Sequence, residues 1–309
     1  MTASRLLARF GGTIAAAALA LFGVLFLAGA LHAANPEPRV RVVDPLPITI
    51  LSEPRYHRVA GKIEEICRDE VPRLASELGL SRMEPVEIIV TDDVGPYDDK
   101  LGGDFPEWGI AFAILEENRI LVDVQRATRQ YNSLDEVVPH ELSHLLVHQR
   151  APGVRFPIWF LEGIAQWQAR EWSVVDQWQL MQGVWSHTAP RLADMTYRYP
   201  AVEAQAQEAY RIAYAGFTEL FAEVGFDDLA PFLAEAERLR SFDQGFLSHF
   251  GYTAGDYAAF FQDDIEKKYG SGFMIFQSGP LLAFAAVLFM AVIIRYLIRR
   301  RRKFARLDD

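Results

Sequence analysis

The sequence predicts an α+β fold, carried between an apolar stretch at each end of the chain. Three observations predict it. Short β-branched runs are confined to residues 40–124, helical apolar spacing dominates from residue 126 onward, and long uncharged segments lie near both termini. With 309 residues, 50% hydrophobic and 23% charged, the chain can bury a sizeable core, which excludes intrinsic disorder.

Phe10 to Pro36 is a run of 27 residues without a charge, preceded by Arg5 and Arg9. It is long enough to cross a bilayer, and its Ala/Leu-rich course toward the small residues Ala33 and Ala34 reads equally as a signal peptide. Residues 1–34 are therefore expected to be a signal peptide or an N-terminal membrane anchor. Residues 40–52 look extended, with Pro45 and Pro47 marking breaks or an edge position. Residues 56–79 have helical apolar spacing and stop at Gly79. Val86 to Val90, Ile110 to Ile114 and Ile120 to Val124 are strand candidates, with Glu116, Glu117 and Asn118 turning one of the last two into the other. Helices are then expected at 133–148, 158–182, 201–225, 228–240 and 254–268, with Pro- and Gly-containing loops at 149–157 and 183–200. The expected domain spans 35–272, with a mixed sheet part at 35–125 and a helical part at 126–272.

Tyr269 to Ile294 is a second uncharged run, of 26 residues, and Arg299-Arg300-Arg301-Arg302-Lys303 follows it. It predicts a transmembrane helix at 273–295 and a basic tail at 296–309. Basic residues before the first segment and after the second both mark the cytoplasmic side. Residues 35–272 are thus expected outside the cytoplasm, tethered to the cell membrane, with the C-terminal tail cytoplasmic. This middle part carries 22 Lys and Arg against 39 Asp and Glu, and a net charge of −17 repels phosphate backbones, so nucleic acid is not an expected partner. The single cysteine excludes a disulfide framework and any cysteine-based zinc ribbon. Cys67 shares helical spacing with Val59, Ile63, Ile66, Val71 and Leu74, which suits a small buried apolar residue.

The chemistry concentrates in two short stretches. Ser133-Leu134-Asp135-Glu136 has the form of a capping box, so a helix should begin there and run through His140-Glu141-Leu142-Ser143-His144. Residues four apart share a helix face, so both imidazoles can reach one ion, while Glu141 is turned toward a water instead. A catalytic zinc needs a third protein ligand and one open position. His148 is about 12 Å along the helix axis from His140, too far for both to bind one ion, and is expected at the surface or behind the ligands. In Trp159-Phe160-Leu161-Glu162-Gly163-Ile164-Ala165, Glu162 sits on a largely apolar stretch where an unpaired carboxylate would be costly and a metal would neutralise it. The ligand set is then His140, His144 and Glu162, for one zinc ion per chain. Charges at 135, 136, 141 and 150 exclude a motif lying inside the bilayer.

His140-Glu141-x-x-His144 followed by Trp159-x-x-Glu162-Gly163-x-Ala165 resembles the gluzincin zinc metallopeptidases, most closely their peptidase MA-like branch, over roughly residues 45–268. Metzincins would have Gly and His where this chain has Val147 and Arg150. Two departures from the gluzincin pattern are a ligand spacing one residue shorter than is common and Pro139 inside the zinc helix, where it deletes a backbone hydrogen bond and can kink the helix. The resemblance implies a zincin-like domain that hydrolyses peptide bonds. The zinc would acidify its bound water and polarise the carbonyl, and Glu141 would act as general base. It further implies a Tyr on a later helix as oxyanion donor, which matches Tyr210 first and Tyr214 second. Gln166, one turn after Glu162, is either an orienting partner for a ligand histidine or a surface amide. A strand at 119–124 or 109–113 could offer an edge for an extended peptide. The chain lacks a Gly-Ala-Met-Glu-Asn-like sequence for gripping a free N-terminus, which favours an endopeptidase. Five of six Trp fall in residues 159–185, as core or membrane-proximal packing. The competing reading is a catalytically inactive, membrane-tethered zinc-binding module; Glu141, which a non-catalytic site has no need of, favours the enzyme.

Overall fold

Alternation of buried and half-buried residues along the β-branched runs makes each of them one face of a common core. In the computed structural model, which describes residues 39–97, 109–129, 133–195, 203–270, 284 and 286–295, these runs form a single mixed sheet. Its strands are β1 (Arg39–Val42), β2 (Ile48–Ser52), β3 (Val86–Thr91), β4 (Ala111–Ile114) and β5 (Arg119–Asp123), in the order β1-β2-β3-β5-β4. The central pairs β2/β3 and β3/β5 are parallel and the outer pairs β1/β2 and β4/β5 antiparallel. Asp44-Pro45, in the β1–β2 connection, is a cis peptide bond. Asn118, in the left-handed region at φ 48°, reverses the chain between β4 and β5. β5 lies between β3 and β4, so the edges are β1 and β4, and the expectation of an edge at 119–124 is corrected.

The parallel pairs require crossovers. Between β2 and β3 the chain forms α1 (His57–Glu77), whose Val59, Ile63, Ile66, Cys67, Val71 and Leu74 are buried at helical spacing. Cys67 is fully buried and burial pushes its thiol up to about 12, so it is an inert core residue. After β5, Asp123 Oδ1 accepts from the backbone N–H groups of Gln125 and Arg126 and starts the short α2 (Val124–Arg129).

The helical half comprises α3 (Leu134–Arg150), α4 (Ile158–Ala169), α5 (Val174–Trp185), α6 (Glu203–Val224), α7 (Leu229–Leu239), α8 (Phe242–Phe250) and α9 (Ala254–Gly270). α3 packs on α1 and on the edge strand β4, and α4 packs between α3 and α6. The fold class is thus α+β. The expected helix at 158–182 is two helices. The break falls at Arg170, in the left-handed region at φ 58°, and at Ser173, where a capping box with Asp176 starts α5 anew. The expected capping box at Ser133 does not form, since the Ser133 side chain makes no capping hydrogen bond. α3 continues through Pro139, and α8 has no counterpart among the expected helices.

α4 and α6 approach so closely that a Cβ on Gly163 would lie 2.4 Å from Phe217 Cβ and 2.6 Å from the Ala213 carbonyl oxygen. Any side chain at 163 forces α6 outward. Gly163→Val should therefore destabilise the fold by about 1–3 kcal/mol, measured by urea unfolding. An unchanged midpoint would place the two helices further apart than described.

Among the described residues no helix is long and apolar enough to cross a membrane. The expected segments 1–34 and 296–309 lie outside the described residues, as does most of 273–295. Within that last segment residues 284 and 286–295 are helical, and Phe284, Val287, Phe289 and Val292 are exposed.

Candidate metal centre

α3 and α4 bring the two motifs face to face. His140 and His144, one turn apart, meet edge to face with ring centroids 4.9 Å apart. Glu162, on the second turn of α4, is 2% exposed and reaches both. His140 Nε2 is 3.3 Å from Glu162 Oε2, and His144 Nε2 is 3.6 Å from Glu162 Oε1. One ligand atom from each of the three residues lies within 4.8 Å of the others, so this group can hold a metal ion. The predicted triad is thus brought together; His148, half-buried, is outside it.

The donor set suits a divalent ion. Burial pushes the His144 imidazole down to about 4, with His140 lowering it further against the opposing charge of Glu162, so it is neutral and ready to ligate at ordinary pH. Burial also opposes a charge on His140, but Glu171 and Glu162 together outweigh it and hold that imidazole well above its usual value. His140 Nδ1 is 2.9 Å from Glu171 Oε1, an arrangement that leaves Nε2 directed at Glu162. Glu171 is the site residue that sequence reasoning misses. It lies just after the break at Arg170, where the sequence pattern reads as continuous helix.

Gln166, expected to orient a ligand histidine or to lie at the surface, does neither. It is 7% exposed and donates to the Glu162 and Tyr210 carbonyl oxygens, tying α4 to α6. Behind the histidines, Ser143 donates to Gln168 at 2.7 Å, and Gln168 donates to the Leu74 carbonyl and to Glu77, which braces α3 and α4 against α1. Glu171→Ala should therefore weaken metal binding by about 10- to 100-fold, whereas Gln166→Ala should leave it nearly unchanged. Chelator competition reads the difference, and equal affinities in the two variants would overturn the assignment.

Glu141 is on the same helix as the histidines but outside the triad. Its Oε2 accepts the backbone N–H of Ala113 at 2.8 Å, linking α3 to the edge strand β4. Burial raises its pKa to about 7, with the charge of Glu162 adding and His140 and the Ala113 N–H opposing. Of the two tyrosines, Tyr210 belongs to this neighbourhood. Burial and then the charges of Glu162, Glu141 and Glu171 push its phenol well up, so it is a neutral donor. Tyr214 is shifted by burial alone and stacks flat on Trp172, with centroids 4.2 Å apart. The other tryptophans divide. Trp159 is core and Trp167 stacks on Phe226, while Trp178 is exposed.

No protein-family model matches the chain, and no curated protein matches it.

Proposed function

We propose that this chain is a membrane-anchored zinc-dependent peptidase of the gluzincin, peptidase MA-like kind, acting as an endopeptidase outside the cytoplasm. The observation that carries the reading is the convergence of His140, His144 and Glu162 beside a buried Glu141 that is anchored to an edge strand. A zinc ion held by the triad would supply Lewis acidity toward a peptide carbonyl and acidify water. Glu141 takes the proton of the attacking water and passes it to the leaving amine nitrogen as the C–N bond breaks. Tyr210 donates its hydroxyl to the carbonyl oxygen as charge develops there. β4, the edge strand of the described sheet on the side of α3, offers backbone groups on which an extended peptide can pair.

Metal analysis of the purified full chain, combined with cleavage of an unbiased peptide library, tests the reading. One zinc per chain and internal cleavage are expected; zinc without any cleavage would support an inactive module instead. Tyr210→Phe should lower kcat by about a hundredfold with little change in KM, whereas Tyr214→Phe should leave both near their original values. The reverse ranking would transfer the role to Tyr214.

A further inference from the structure

Three consecutive features put an uncharged tip beside the metal centre. Glu171 holds His140, Ser173 caps α5, and the first turns of α5 then present Val174, Val175 and Trp178 at 87%, 62% and 44% exposure. At 3.6 residues per turn these three fall within an arc of about 100°. The two acids of this stretch, Glu171 and Asp176, turn away from that arc. Glu171 faces His140, and Asp176 is engaged by Ser173 and lies 3.7 Å from Arg211.

The tip also lies at a particular end of the domain. Gln177, roughly 60° around α5 from Val174, donates to the Tyr269 hydroxyl at 2.8 Å. Tyr269 is the penultimate residue of α9, and Lys268 beside it is half exposed and lies 3.6 Å from Glu219. From there residues 271–283, which reach at most about 45 Å, lead to the apolar helical residues 286–295. Valines with a Trp, flanked by Tyr and Lys, have the chemistry of the lipid–water interface. A protein partner fits less well, because a stable protein interface buries about 800 Å² per side, more than three side chains supply.

We propose that Val174, Val175 and Trp178 dip into the lipid interface of the membrane that anchors the chain, and so hold the metal centre at the bilayer surface. This rests on the reading of residues 273–295 as a membrane span. The consequence is a substrate class: polypeptide segments where they emerge from the bilayer.

The test uses the full chain reconstituted in phosphatidylcholine vesicles. Because Cys67 is fully buried, a thiol-reactive nitroxide reports only introduced cysteines. They are placed by Val174→Cys, Trp178→Cys, Leu288→Cys in the span, and Arg238→Cys on α7 as an aqueous control. Nitroxides at 174, 178 and 288 should be open to oxygen and shielded several-fold from chromium oxalate relative to 238. Oxalate access at 174 and 178 equal to that at 238, with 288 still shielded, would overturn the docking tip and leave the anchor standing. Oxalate access at 288 as well would overturn both. Shielding of 174 from oxygen and oxalate alike would mean that protein covers the tip, which also overturns the proposal.

Discussion

Glu141→Gln should leave one metal ion bound per chain and lower the rate of peptide cleavage by about 10²- to 10⁴-fold. The substitution is nearly isosteric. The oxygen of the introduced amide can still accept the Ala113 N–H that Glu141 Oε2 accepts at 2.8 Å, so the link between α3 and β4 survives while the proton acceptor is lost. A variant that cleaves at the original rate would remove Glu141 from the chemistry. The same change has a second signature in the metal-free protein. Burial raises the Glu141 pKa to about 7 in the folded state, above the ordinary carboxylate value it has when unfolded. Its contribution to stability is then fully present below about pH 4.5 and is lost as pH rises through 7. The neutral amide carries no such penalty. The Tm of the metal-free variant should therefore gain on that of the metal-free parent as pH increases from 5 to 8. A constant difference across that range would contradict the burial of the carboxylate.

The helix α3 and its two ligand-spaced histidines are legible in the sequence because a spacing of four is a local property, and the helix forms wherever apolar residues such as Leu142, Leu145 and Leu146 find a core. Glu162 is legible for a related reason, since a lone acid among Trp159, Phe160 and Ile164 has to be neutralised by something. Glu171 is different. It meets His140 across 31 positions of sequence, through a break made by an arginine in the left-handed region, a conformation for which the sequence carries no glycine or asparagine signal. A signal is nonetheless present in Ser173-x-x-Asp176, whose capping box restarts the helix and so implies a break just before it. The matching pattern at Ser133 and Glu136 misleads, because that form of sequence permits the reciprocal hydrogen bonds without compelling them. Strand order is also beyond the sequence. Which of two adjacent β-branched runs becomes the edge depends on whether β4 or β5 pairs with β3, a long-range choice settled by the burial of β5 at Ile120, Leu121 and Val122.

The chain with both His140→Ala and His144→Ala should fall from one bound metal to none, while His148→Ala keeps its metal, because the three-ligand group includes the first two histidines and excludes the third. The pH dependence of the parent chain follows from how differently the two ligands hold protons. Before metal arrives, burial opposes a charge on His140 but Glu171 and Glu162 outweigh it and favour its protonated form, whereas burial holds His144 down at about 4 and therefore neutral. A metal ion must then displace the proton of His140, and apparent affinity should fall as pH falls. Near pH 4 His144 also takes up a proton and the slope should steepen. Removing Glu171 takes away the largest attraction that keeps the proton on His140, so Glu171→Gln should flatten the dependence between pH 5 and 7 even as it loosens the ligand. Chelator competition from pH 4 to 8 on both proteins gives the two slopes. Equal slopes would show that Glu171 does not govern the protonation of His140, and a parent slope near zero would show that His140 is not a ligand that must lose a proton to bind.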